Sequence, residues 1–178
     1  MSPSPSAELR FRREAVVREH MESENTHEYD VTMATFTHPR YEIVPTGDVF
    51  DGSAEVERYF VETRTAFPDQ RNELIAMHHA EDSIVVEFML LGTHLGPFRG
   101  LPATGRTFEV RCVAIFEFDH ADGIVCERPY FDSATILRQL GIAHDPLTTR
   151  GRIATVANHP ITIGTAVARD LVRRLRTR

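Results

Sequence analysis

The sequence predicts an α+β domain in which helices cover a curved antiparallel sheet. Three observations support this class. An apolar run from Ser83 to Leu91 is long enough to cross a sheet and is interrupted only by Glu87. Apolar residues then occupy every second position from Phe108 to Phe118, which is the period of a strand. Helical patterns precede these strands, and helices segregated from a run of strands are typical of α+β folds.

Taken in order, the chain begins with prolines alternating between Ser2 and Ser6, and we predict that residues 1–8 are disordered. A helical pattern follows from Ala7 to Asn25. A second short helix runs from Asp30 to Phe36, and Pro39 ends it because the residue before proline disfavours helical backbone.

Next come two short strands, Tyr41 to Val44 and Val49 to Phe50, and a helix from Ala54 to Ala66. We predict four long strands and a closing helix. These elements are Arg71 to His79, Ser83 to His94, Arg106 to Phe118, Ile124 to Phe131 and the helix Ala134 to Leu140.

Residues 143–178 form a basic extension, in which 143–152 are predicted to be a linker and Asn158 to Arg178 a helix. From Arg150 onward there are seven arginines and one acid, a net charge of +6, whereas the total of -6 leaves about -12 on residues 1–149. An acidic body argues against a nucleic-acid partner. The extension either docks on the acidic body or a second subunit, which we favour, or contacts an anionic membrane.

The composition excludes several kinds of chemistry. All 20 basic residues are arginine, so Schiff-base chemistry and covalent pyridoxal phosphate, which need a lysine amine, are excluded. Neither a Walker-type loop nor a dinucleotide-binding glycine motif occurs. The sequence lacks a transmembrane run and the apolar centre of a signal peptide, so we expect a cytoplasmic protein. Cys112 and Cys126 are then expected to be thiols.

A set of motifs in the second half of the chain carries a family resemblance. They are Gly92-Thr93-His94, Gly96 with Phe98-Arg99-Gly100, Pro102 to Arg106, Asp122-Gly123, and Tyr130-Phe131-Asp132 followed by Leu137 to Gly141. With these, residues 9–142 resemble the SnoaL-like polyketide cyclases of the NTF2-like superfamily. The resemblance implies a cone-shaped α+β barrel, a homodimer, a pocket for a small apolar molecule, and acid–base chemistry without a cofactor.

The same resemblance locates the pocket but not its catalytic groups. Characterised cyclases use an aspartate on the last strand and a histidine on the preceding strand, and these positions hold Pro129 and Ala114 here. The pocket wall and substrate-binding set that we expect is Asn25, Tyr41, Tyr59, Val110, Cys112, Ala114 and Pro129.

Four residues are candidates for catalysis in place of the missing pair. Glu87 lies either on the solvent side of its strand or in the pocket, where burial would raise its pKa and make it a possible general acid or base. Glu127 has the parity of Pro129, so it either points inward at a neighbouring level of the pocket or lies at an exposed edge of the hairpin. His94 either lines the pocket mouth or fixes a loop. Asp132 is either a catalytic substitute or, as we favour, the N-cap of the following helix.

No metal site is predicted, because neighbours such as His78 and His79 point to opposite faces of a strand.

The leading hypothesis is a cyclase- or isomerase-type enzyme acting on an apolar carbonyl-bearing substrate. One alternative is a non-catalytic binding module. Another is an epoxide hydrolase-like enzyme, for which Arg111 with Glu87 and Glu127 is the one rough candidate set, although strand parity counts against it.

Overall fold

The computed structural model describes residues 6–176, which form two compact units, one up to Leu140 and the other from Gly141 onward. The first unit contains four helices and six strands in the predicted order. They are α1 (Ala7–Thr26), α2 (Tyr29–Ala34), β1 (Arg40–Ile43), β2 (Asp48–Asp51), α3 (Ser53–Ala66), β3 (Arg71–His79), β4 (Ser83–Thr93), β5 (Thr107–Phe118), β6 (Ile124–Phe131) and α4 (Ser133–Gln139).

The six strands form one curved open sheet in the order β2-β1-β6-β5-β4-β3, which confirms the predicted α+β class. Neighbouring strands are antiparallel except for β1 and β6, which run parallel and meet where Tyr41 pairs with Glu127. This pairing places the first strand of the chain beside the last strand.

The concave core follows from the alternation in the strands. The even-numbered residues of β5, from Phe108 to Phe118, are buried, and those of β4 at positions 84, 86 and 88 are buried beside them. Burial of such large apolar side chains supplies about 25 cal/mol per Å² of apolar surface, which drives the helices onto this face. Phe60 of α3 and Val17 of α1 belong to the same core.

The start of α1 differs in part from the expectation for residues 1–8. Residues 1–5 lie outside the described part of the chain. Ser6 is the N-cap of α1, since its hydroxyl accepts a hydrogen bond from the Leu9 backbone N–H at 3.2 Å, and Ala7 and Glu8 are helical.

The second unit contains two helices, α5 (Thr149–Asn158) and α6 (Pro160–Arg176). The expected linker at 143–152 is therefore wrong from residue 149 onward. Thr148 caps α5, since its hydroxyl accepts a hydrogen bond from the Gly151 N–H at 3.0 Å. Gly151 lies in the first turn of this helix, and glycine is a poor helix former, so the sequence did not predict a helix there. Among the described helices, none is long and apolar enough to cross a bilayer.

Candidate active site

A narrow pocket opens between α3 and the concave face of the sheet in the first unit. Its empty volume is about 450 Å³, a value that includes the open mouth. Apolar and polar side chains face each other across it, which is the usual character of small-molecule sites. The lining consists of Glu24, Tyr41, Tyr59, Phe60, Thr63, Arg64, Gln70, Asn72, Phe88, Leu90, Cys112, Glu127, Pro129 and Phe131.

At the pocket, the fully buried histidine of α1, His20, contacts the carboxylate of Glu127 on the last strand. Nε2 of His20 lies 3.0 Å from Oε2 of Glu127 and 2.8 Å from the hydroxyl of Tyr41. The parallel register of β1 and β6 places Tyr41 directly beside Glu127, and α1 lays His20 over both. The three groups form one continuous hydrogen-bond network.

A second carboxylate on α1 completes this network. Glu24 accepts the Tyr41 hydroxyl hydrogen on Oε1 at 2.8 Å and an Asn72 amide hydrogen on Oε2 at 2.7 Å. His20 and Glu24 are four residues apart, so they lie on the same face of the helix. We call His20, Glu24, Tyr41 and Glu127 the buried quartet.

The hydrogen bonds assign the protons of the buried quartet. The Thr35 hydroxyl donates to the Thr32 carbonyl at 2.7 Å, so it accepts from Nδ1–H of His20 at 2.8 Å. The one hydroxyl hydrogen of Tyr41 goes to Glu24. Nε2 of His20 and Oε2 of Glu127 therefore share one proton, because two bare acceptors 3.0 Å apart would repel each other.

The electrostatics agree with a firmly held proton. Burial and the charge of Glu24 raise the pKa of Glu127, and the contact with His20 offsets this only in part. Burial acts to lower the pKa of His20, but the hydrogen bond and charge of Glu127 outweigh it, so the net shift is upward. Burial also raises the pKa of Tyr41 far above its ordinary value, which keeps the phenol a donor.

The donor atoms of His20, Glu24 and Glu127 lie within 4.8 Å of one another, a spacing that a metal ion can also bridge. The Tyr41 oxygen, however, is 2.8 Å from both His20 Nε2 and Glu24 Oε1. A cation would have to displace this oxygen or bind it as a further ligand. The observed distances are those of hydrogen bonds, so we describe the quartet as a proton site.

Of the residues expected in the pocket, Tyr41, Tyr59, Cys112, Pro129 and Glu127 do line it. The parity of β6 places Glu127, Pro129 and Phe131 on the same inward face. Val110 and Ala114 are buried on the same face of β5 but lie outside the lining set.

Glu87 lies outside the pocket, because Val86 and Phe88 take the inward positions of β4. Its carboxylate is 2.6 Å from Nε of Arg111, whose side chain is 62% exposed on the outer face of the sheet. The set required for the epoxide hydrolase-like alternative is thus divided, with Arg111 and Glu87 on one face and Glu127 on the other.

His94 and Asp132 also lie outside the pocket, and both fix local structure. His94 accepts from the Thr104 N–H at 3.3 Å and stacks on Phe67 with ring centroids 5.2 Å apart, which fastens the loop before β5. Asp132 accepts from the Thr135 N–H at 3.0 Å as the N-cap of α4.

Asn25 joins α1 to β3 rather than facing the pocket. Its side-chain oxygen accepts from the Asn72 N–H at 2.7 Å, and its amide donates to the Asn72 carbonyl at 2.9 Å. The pair anchors the C-terminal end of α1, one residue beyond Glu24, and so holds the buried quartet in place.

Neither His20 nor Glu24 was predicted as a site residue. The helical pattern of α1 rests on the apolar residues Leu9, Ala15, Val16 and Met21, and polar residues carry no weight in such a pattern. Val17, which is fully buried, was absent from that set, whereas Ala15 is exposed. Starting from Val17, the i+3 and i+7 positions are His20 and Glu24. That spacing was the signal available for both residues.

The family model of the SnoaL-like polyketide cyclases matches residues 14–140. The match covers most of the chain and all of the sheet, and the chain therefore belongs to this family. Membership favours a cyclase- or isomerase-type function on a small molecule. No curated protein matches the chain.

Solved structures with the same fold include a proposed polyketide cyclase of Xanthomonas campestris, with a TM-score of 0.68, 17% identity, and coverage of 74% of this chain and 98% of that one. A proposed SnoaL-like polyketide cyclase of Jannaschia has a TM-score of 0.66, 18% identity, and coverage of 82% and 99%. A protein of Catenulispora acidiphila with a ketosteroid isomerase-like fold has a TM-score of 0.62, 14% identity, and coverage of 71% and 92%. These likenesses establish the NTF2-like fold.

Proposed function

We propose that this protein catalyses acid–base chemistry of the cyclase or isomerase type on a small carbonyl compound, with Glu127 as the general base. One observation carries the proposal: Glu127 is a buried carboxylate that lines the pocket and is held by His20 Nε2 at 3.0 Å. Glu127 replaces, at a neighbouring level of β6, the acid/base group that the family places at the position of Pro129.

The chemistry requires a base whose pKa lies near the working pH. Burial raises the pKa of Glu127 toward that range. In its deprotonated form the carboxylate accepts a proton from the carbon next to the substrate carbonyl. The electron pair of the broken C–H bond forms a C=C bond, the π pair of the carbonyl moves to its oxygen, and an enolate results. Glu127 then returns the proton to carbon or oxygen, which completes an isomerisation or the proton transfers of an aldol closure.

The enolate oxygen needs a hydrogen-bond donor in the pocket. Tyr59 lines the pocket, and burial raises its pKa, so its phenol stays protonated and can donate. The proton that His20 and Glu127 share can move between Nε2 and the carboxylate. It lies closer to Glu127 when the carboxylate is charged and closer to His20 when Glu127 has taken up the substrate proton. His20 itself is fully buried and acts through Glu127 as a positioning residue.

Hydrogen–deuterium exchange at carbon tests the proposal without the natural substrate. 1-Indanone and 2-tetralone are incubated in D₂O with the protein, and loss of the α-proton signals is followed by NMR. We expect exchange above the buffer rate, reduced at least tenfold by Glu127→Gln. The matched control is Glu87→Gln on the outer face, which should leave the rate unchanged. Equal rates for wild type and Glu127→Gln would refute the assignment of Glu127.

A second candidate is a non-catalytic binding module. Two residues favour it, since Pro129 and Ala114 carry no titratable group at the positions where the family has its acid/base pair. This candidate predicts that either ketone shifts NMR signals of pocket residues while the exchange rate stays at the buffer value. The two measurements on the same sample therefore separate enzyme from binder.

A further inference from the structure

The wall of the pocket on α3 contains a buried arginine that the proposed chemistry does not use. Arg64 lines the pocket, and only 9% of the residue is exposed to solvent. It follows Phe60 by one helical turn and shares the inward face of α3 with Thr63. An arginine keeps its charge under all ordinary conditions, so this position is a permanent cation at the pocket.

Arg64 has few partners for a buried cation. One of its terminal guanidinium nitrogens donates to the Glu24 carbonyl at a long 3.4 Å, and the guanidinium also acts as a hydrogen-bond donor toward the Tyr29 hydroxyl. The Nε–H is buried and has no partner among residues 6–176. A buried charged donor that lacks a partner is strongly unfavourable unless a counter-charge arrives.

The nearest carboxylate does not satisfy this arginine. Both carboxylate oxygens of Glu24 already accept hydrogen bonds, one from Tyr41 and one from Asn72. No ion pair within 4.0 Å joins Arg64 to any acid in the part of the chain that the structure describes. The carboxylate of Glu24 therefore forms its hydrogen bonds with Tyr41 and Asn72, and Arg64 reaches only the backbone carbonyl of Glu24.

A second unsatisfied donor lies beside Arg64. The Tyr29 hydroxyl is buried with no acceptor for its hydrogen among the described residues. Burial raises the pKa of Tyr29, and Arg64 opposes this rise through its charge and as a hydrogen-bond donor. An anion that enters beside Arg64 would supply the acceptor that both donors lack.

We propose that Arg64 binds a carboxylate of the substrate, so that the pocket takes a small carbonyl-bearing acid rather than its ester or amide. The planar guanidinium matches a carboxylate with two parallel N–H···O bonds. The acid group then lies at the α3 wall, and the rest of the molecule extends between Phe60, Phe88 and Phe131 toward Glu127. The position of the carbonyl end of the substrate beside Glu127 rests on the proposed function. The preference for an acid does not depend on that function.

Matched pairs of ligands test this inference with the full chain. Benzoate, phenylacetate and 2-naphthoate are each titrated against ¹⁵N-labelled protein, together with benzamide, phenylacetamide and 2-naphthamide, by two-dimensional NMR. We expect at least one acid to bind at least tenfold more tightly than its amide. Arg64→Gln should abolish that difference. Arg58→Gln is the control, since Arg58 lies on the same helix, is 66% exposed and pairs with Glu55.

The wild-type comparison is decisive even if Arg64→Gln fails to fold. Equal or weaker binding of all three acids relative to their amides would overturn the proposal, as would an acid preference that survives in a folded Arg64→Gln. An Arg64-dependent acid preference without deuterium exchange would leave the anion site standing and refute only the acid–base reaction. Deuterium exchange that depends on Glu127, without a preference for acids, would leave the acid–base reaction standing and refute the anion site.

Discussion

Nδ1 of His20 donates to the hydroxyl of Thr35 across 2.8 Å, and this contact sets which ring nitrogen faces Glu127. Because the Thr35 hydroxyl gives its own hydrogen to the Thr32 carbonyl, it can only accept from the ring. The opposite nitrogen, Nε2, is thereby left to exchange a proton with the carboxylate on β6. A short polar side chain in the turn after α2 thus sets the tautomer of the histidine that contacts the last strand.

Replacing Thr35 by valine should change the tautomer of His20. Thr35→Val removes the acceptor of the Nδ1–H, and we expect the deuterium exchange rate to fall several-fold, with its pH profile displaced, because the proton can then move from Nδ1 to Nε2. Thr35→Ser keeps the hydroxyl and should restore both. Long-range ¹H–¹⁵N spectra of the histidine side chains report the tautomer directly. An unchanged Nδ1–H signal in Thr35→Val would contradict the assignment.

Stability should decrease as the pH rises above 5. The pKa values of Glu127 and His20 are both raised on folding, so the folded protein binds the shared proton more tightly than the unfolded chain. This contribution is full below the unfolded pKa values, about 4.3 for Glu and 6.5 for His, and is lost as the pH passes the folded values. One linked proton gives a slope of at most about 1.4 kcal/mol per pH unit.

Urea denaturation between pH 5 and pH 8 measures that slope. Surface acids whose pKa values are lowered, such as Glu42 and Asp51, change stability in the opposite sense but titrate below this window. Glu127→Gln should flatten the dependence, and Glu87→Gln should retain it. A free energy of unfolding that rises with pH across the window in the wild type would show that the buried proton is absent.

Removing the N-cap of α4 should affect stability without affecting chemistry. Asp132→Ala takes away the acceptor for the Thr135 N–H, which costs about 1 kcal/mol in typical helices. Asp132→Asn retains an acceptor and should be close to the wild type. Both variants should exchange the ketone protons at the wild-type rate. A large loss of exchange in Asp132→Asn would instead give the residue a catalytic role.

Neither cysteine should react with thiol reagents in the folded protein. Burial raises the pKa of Cys112 to about 12 and that of Cys126 to about 11, and both side chains are almost fully covered. The thiolate is the reactive form, so its fraction at pH 8 is very small. Ellman's reagent should therefore detect both thiols only after unfolding in guanidinium chloride. Rapid native labelling of Cys112 would indicate that the pocket opens widely.

Most of the sheet could be predicted from the sequence, because the apolar run of β4 and the alternation in β5 are local signals. The bounds expected for β3 and β6 are those observed, and those of β4 and β5 differ by one residue at one end. The parity of Glu127 with Pro129 gave the inward direction as one of two alternatives, and Glu127 is in fact buried in the pocket. The outward direction of Glu87 was left open, since a carboxylate within an apolar run fits either face until the neighbouring strand supplies an arginine such as Arg111.

The buried half of the candidate site was hidden for a different reason. His20 and Glu24 are polar residues on a helix rich in charged residues, so hydrophobic periodicity gives them no weight. Their burial is stable only because Thr35, Tyr41, Asn72 and Glu127 satisfy their hydrogen bonds. Those partners lie far away in the sequence, and no local pattern reveals that they meet.

The parallel contact of β1 with β6 also has a consequence for biosynthesis. His20 and Glu127 are 107 residues apart, so at translation rates of about 5–20 residues per second the histidine leaves the ribosome roughly 5–20 s before its partner. Until then α1 has no carboxylate on β6 to receive its buried histidine. A nascent chain stalled before β6 should accordingly hold α1 exposed to proteases and chaperones, and protection of α1 should begin abruptly once residue 127 emerges.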